Sequence, residues 1–187
     1  MRQGAALTSL ALLASCGGDL APATDRSTAL ALQVDSPTLV FESPGNPADP
    51  VGVGQVTANA GDVNGDGYDD LLVTSAEEGA GTDGSAWVFH SVGGALDPIA
   101  SWSITGVSGT NLGQAAAGVG DVNGDGYDDV AVGEPGFGPG EEGRVLLYLG
   151  SDLGLSPVED RVLEGSLSPG ALLGSSVVGV GDLNGDD

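Results

Sequence analysis

The hydrophobic pattern of this chain is carried by short apolar runs of strand length. Leu71-Leu72-Val73 and Val130-Ala131-Val132 form one matched pair, and Ala86-Trp87-Val88-Phe89-His90 and Val145-Leu146-Leu147-Tyr148-Leu149 form a second. Glycine-rich turns ending at Gly84 and Gly143 precede the second pair. Runs of this length, rich in β-branched and aromatic residues and bounded by glycine, predict strands. Trp102-Ser103-Ile104 and Arg161-Val162-Leu163 alternate and predict outer strands, and Thr38 to Glu42 predicts an early one.

The runs recur because a larger unit recurs. Gly61-Asp62-Val63-Asn64-Gly65-Asp66-Gly67-Tyr68-Asp69-Asp70 returns without change as Gly120 to Asp129, and a third copy starts at Gly181-Asp182-Leu183-Asn184-Gly185-Asp186. The first aspartates stand 59 and then 61 residues apart. Val53-Gly54, Leu112-Gly113 and Leu173-Gly174 precede the copies at one fixed distance. A period near 60 residues points to a propeller or solenoid, and four short strands per unit is the plan of a propeller blade. The expected class is therefore all-β: a partial β-propeller of about two complete four-stranded blades and the start of a third.

Composition agrees with that class and excludes others. Glycine makes up 34 of 187 residues without a Gly-x-y period, so collagen is excluded and a fold with many tight turns is favoured. The chain has 27 Asp and Glu against four Arg and no Lys, a formal charge of −23. Such a surface repels phosphate backbones and excludes nucleic-acid binding. Eleven of the acids fall in the three short clusters, which points to cations.

The repeated unit resembles the FG-GAP repeat of integrin α-subunit propellers over roughly Val51 to Asp187. Its namesake elements are Leu112-Gly113 and Gly133-Glu134-Pro135 in the second unit, while the first unit has Thr74-Ser75-Ala76 at the second element. The loop is the specific part of the likeness. Calcium takes six to eight hard oxygen ligands, which alternate residues of a curled loop can supply. Asp62, Asn64, Asp66 and Asp70 offer side-chain oxygens at positions 1, 3, 5 and 9, and the resemblance implies that the Tyr68 carbonyl adds position 7. Asp121, Asn123, Asp125, the Tyr127 carbonyl and Asp129 repeat the set. Position 12 is Val73 or Val132 where an EF-hand needs an acid, so that loop type is excluded. Asp182, Asn184 and Asp186 start a third set in which Asp187 replaces the glycine, so weak binding or none is expected there. Asp69 and Asp128 are expected to be solvated or to bond within turns.

The N-terminus reads as an address. Arg2 precedes an uncharged, mostly apolar stretch from Ala5 to Ala14, the length of a signal-peptide core. It ends in Leu13-Ala14-Ser15-Cys16, which resembles the lipobox of bacterial lipoproteins, with Cys16 as the lipid-bearing new N-terminus. Cys16 is the only cysteine, so it has no disulfide partner within the chain. Residues 1–15 are expected to be a signal peptide, 16–37 a flexible tether, and 38–187 the propeller repeats, with further blades downstream. The expected setting is a bacterial cell envelope with the chain lipid-anchored, or alternatively secreted.

Catalytic signals are absent from the sequence. No Gly-x-Ser-x-Gly elbow occurs, the single histidine, His90, ends a strand-like run, and the paired Glu77-Glu78 and Glu141-Glu142 lie in glycine-rich turns. The reading is a calcium-binding extracellular structural and interaction module, not an enzyme, with an unknown protein or glycan as partner. The alternative is a carbohydrate-binding or non-catalytic propeller part of a larger secreted hydrolase, with Trp87 and Trp102 as candidate sugar-stacking residues.

Overall fold

The computed structural model describes residues 29–33, 38–42, 54–76, 83–165 and 168–181, all of them strand, turn or irregular backbone. Two strands, β1 (Ala29–Gln33) and β2 (Thr38–Glu42), pair antiparallel. The first blade contains β3 (Thr57–Gly61), β4 (Asp70–Ser75), β5 (Ser85–Phe89), the small hairpin β6 (Ser91–Val92) and β7 (Ala95–Leu96), and β8 (Trp102–Thr105). The second contains β9 (Ala116–Gly120), β10 (Asp129–Glu134), β11 (Arg144–Tyr148) and β12 (Arg161–Glu164).

Each blade is one four-stranded antiparallel sheet, ordered β3-β4-β5-β8 and β9-β10-β11-β12. The predicted strands are all present, and β8 and β12 are the outer ones, as their alternation implied. The predicted early strand is β2, while β1 lies within the stretch read as tether. The expected signal peptide, Cys16, Glu77-Glu78, Asp182, Asn184, Asp186 and Asp187 lie outside the described residues.

The two sheets repeat each other in detail. The first strand of each carries a register shift just before its loop, leaving out Ala60 in one and Val119 in the other. Such a bulge bends a strand, and here it turns both chains into their acidic loops. Gly61 and Gly120 follow it at φ of 80° and 75°, a left-handed conformation that suits glycine. Gly54 N–H donates to the Thr74 carbonyl in the first blade, and Gly113 N–H donates to the Gly133 carbonyl at the matching place in the second.

The core lies between the blades. Leu72, Ala86, Val88 and Trp102 of the first pack with Val130, Val132, Leu146 and Tyr148 of the second. Trp102 and Tyr148 meet edge-on with ring centroids 4.8 Å apart, and the indole N–H donates across the interface to the Ser156 carbonyl at 2.8 Å. Strands β3 and β9 come together more closely still. A Cβ on Gly118 would stand 2.5 Å from the Asn59 carbonyl oxygen, so only glycine permits that approach.

Candidate metal loops

Both acidic loops are wound by the same internal hydrogen bonds. In the first, the Asp62 carboxylate accepts from the N–H groups of Asp66 (3.0 Å) and Gly67 (2.8 Å). Asn64 Oδ1 accepts from Asp66 N–H, and Asp66 Oδ1 accepts from Tyr68 N–H, both at 3.0 Å. The second loop repeats these bonds residue for residue through Asp121, Asn123 and Asp125, and Gly124 N–H also donates to Asp121 at 2.7 Å. Asx-type bonds of this kind are local, which is why one ten-residue string makes one loop twice.

The ninth position is held differently, from outside the curl. Asp70 and Asp129 are buried at the start of β4 and β10, 3% and 0% exposed. Each ties its own loop to the chain just past the third strand of its blade: Asp70 accepts from Val63 N–H (3.2 Å) and Ser91 N–H (2.8 Å), and Asp129 from Val122 N–H (2.9 Å) and Gly150 N–H (2.8 Å). Burial raises both carboxyls above the ordinary aspartate value, with the backbone N–H groups of Ser91 and Gly150 opposing it. Asp121 is exposed and is lowered, first by the Gly126 N–H.

The structure thus brings positions 1, 3 and 5 of each loop into one curl and anchors position 9 beside it. The backbone N–H of Tyr68 and of Tyr127 joins that curl. Among the described residues no three His, Cys, Asp or Glu side chains form a metal-holding group. The donor chemistry nevertheless suits a hard divalent cation. Every candidate side chain presents oxygen, each carboxylate oxygen can accept more than one bond, and three carboxylates per loop leave an excess of negative charge.

Of the two acids expected to be solvated or turn-bonding, one reaches further. Asp69 accepts from the Asn59 side-chain N–H at 2.7 Å, within its own blade, as a turn-bonding residue would. Asp128 reaches out of its blade altogether and accepts from Asp62 N–H at 2.8 Å. No spacing rule announces that bond, because it joins residues 66 apart in sequence. His90 is half-buried, and its Nε2 is shut from solvent, facing Gly154, with no hydrogen-bond partner among the described residues. Glu142 accepts from Gly140 N–H within its turn, as the turn reading of that pair implied. Trp87 and Trp102 are each 7% exposed, which leaves neither as a platform for sugar stacking.

Comparison with known proteins places the repeats. The family described as FG-GAP repeat matches residues 53–89 and 113–148. Integrin alpha-IIb of Mus musculus is 37% identical over 138 residues, which is 66% of this chain and 13% of that protein. Integrin alpha-7 of Homo sapiens is 34% identical over 128 residues, 67% of this chain and 11% of that protein. Integrin alpha-6 of Gallus gallus is 30% identical over 128 residues, 66% and 12%. The chain therefore spans about an eighth of the length of the curated relatives it matches.

Proposed function

Because this chain carries FG-GAP repeats and is built as propeller blades, we propose that it is a calcium-binding extracellular interaction module, adhesion-like rather than catalytic. The observation that carries the reading is the duplicated loop: two copies of an oxygen-only donor set, wound by matching hydrogen bonds at one end of two successive blades. Asp62, Asn64, Asp66 and Asp70 would hold one ion with the Tyr68 carbonyl, and Asp121, Asn123, Asp125 and Asp129 a second with the Tyr127 carbonyl. Asp182, Asn184 and Asp186 would supply an incomplete third set. A bound divalent cation offsets the carboxylate repulsion inside each loop and staples the blade at that end.

A signal peptide and lipid on Cys16 would place the module on the outside of a bacterial envelope, with the partner an extracellular protein. No helix among the described residues is long and apolar enough to cross a membrane. The integrin names of the relatives support adhesion as the kind of task, and the buried tryptophans count against a glycan platform built on them.

Thermal melting followed by circular dichroism tests the metal claim. At a free calcium concentration about 100 times the dissociation constant, each site adds about 2.7 kcal/mol. EDTA should lower the midpoint and added calcium should restore it; a midpoint indifferent to both would overturn the claim. Intact mass of the envelope-extracted protein tests the anchor, since a diacylglyceryl group on Cys16 changes the mass and an unmodified terminus refutes it.

A further inference from the structure

The first loop is gripped by the blade that follows it. Asp62 N–H donates to Asp128 Oδ2 at 2.8 Å, and Asp128 N–H donates back to the Asp62 carbonyl at 3.1 Å, a reciprocal pair between the two loops. The Tyr127 ring lies over Gly65, where a Cβ would approach its Cε1 to 2.6 Å. Ser151 N–H donates to the Val63 carbonyl at 3.1 Å. Positions 62, 63 and 65 of one loop are therefore all fixed by residues of the next blade. Among the described residues, the hydrogen bond of the Asp128 carboxylate goes to Asp62 and none goes to its own loop.

Resting on the calcium reading above, we propose that Asp128 is a positioning residue for the first loop, so that calcium affinity there depends on the neighbouring loop of the second blade. The route is short. Asp62 sits at position 1, its carboxylate already organises the curl through Asp66 and Gly67, and its backbone is located by Asp128. Tyr127 and Asp128 clamp Asp62 and Gly65, so the seat of position 1 depends on the conformation of the second loop.

Calorimetric titration of the purified chain with calcium tests this in two backgrounds. Asp121→Asn with Asp125→Asn silences the second loop while keeping its side-chain acceptors, and Asp62→Asn with Asp66→Asn does the same to the first. Adding Asp128→Ala should weaken the remaining first loop about tenfold, the size of one charge-assisted hydrogen bond, and should change the second loop by less than about twofold. Asp128→Asn keeps an acceptor for Asp62 N–H and should recover most of the loss. The Asp62 amide should exchange its hydrogen faster in the alanine variant than in the asparagine one. An equal loss in both backgrounds, a loss confined to the second loop, or no loss overturns the clamp. Absence of calcium binding by the parent chain overturns the metal reading together with it.

Discussion

The loops at residues 61–70 and 120–129 have the same ten residues and the same pattern of internal hydrogen bonds, yet Val63 is fully buried while Val122 is 53% exposed. Asp62 and Asn64 are half-buried where Asp121 and Asn123 are exposed. The difference teaches that two layers of information act on one motif. Bonds between near neighbours wind the loop, whereas a neighbouring blade decides how much of it meets water. The opposite ends of the same strands invert the contrast. There the cross-strand pair is Ser75 with Ser85 in the first blade but Glu134 with Arg144 in the second, so matching positions carry different chemistry on a shared backbone register.

The largest predicted effect breaks that second contrast. Glu134 is completely buried, accepts from Arg144 and from Thr110, both at 2.5 Å, and Arg144 also lies over the Phe137 ring. Arg144→Ala strands the carboxylate and should cost roughly 3 to 5 kcal/mol in denaturant unfolding. Replacing both Glu134 and Arg144 by serine, as in the first blade, should cost clearly less than the single change. Next comes the common anchor. Asp70→Ala and Asp129→Ala each leave two backbone N–H groups without their acceptor, for about 2 to 4 kcal/mol apiece. The two losses should be alike, because the bonds are alike.

A third pair sharpens the loop comparison. Val63→Ala removes buried methyl groups at the interface and should cost about 1 to 2 kcal/mol, whereas Val122→Ala should stay within about 0.5 kcal/mol. Equal costs would mean that the blades do not pack as described. A separate effect appears at alkaline pH. Burial, with the Glu159 charge next, pushes the Tyr148 hydroxyl up to about 12. A phenol raised on folding favours the fold fully below the unfolded value near 10, and that contribution is lost as pH rises through about 12. Absorbance titration should show one late phenolate that disappears in Tyr148→Phe.

Much of this was readable from sequence, for physical reasons that also mark the limits. The apolar runs of β4, β5, β10 and β11 were legible because side chains fill the space between blades. Strands β3 and β9 were not placed residue by residue, since Thr57-Ala58-Asn59-Ala60-Gly61 and Ala116-Ala117-Gly118-Val119-Gly120 pack backbone against backbone and need small residues. The β6–β7 hairpin was missed although Gly93-Gly94, at φ of 62° and 84°, is a two-residue turn signal. The meeting of loop positions 1, 3 and 5 in one curl was legible because their spacing is local. The reach of Asp128 was not, because nothing near it in sequence requires it.

Calcium titration of the chain by calorimetry tests the central claim most directly. Two saturable sites are predicted, one lost in Asp62→Asn with Asp66→Asn and the other in Asp121→Asn with Asp125→Asn. Absence of binding, or binding that survives all four substitutions together, would contradict the account.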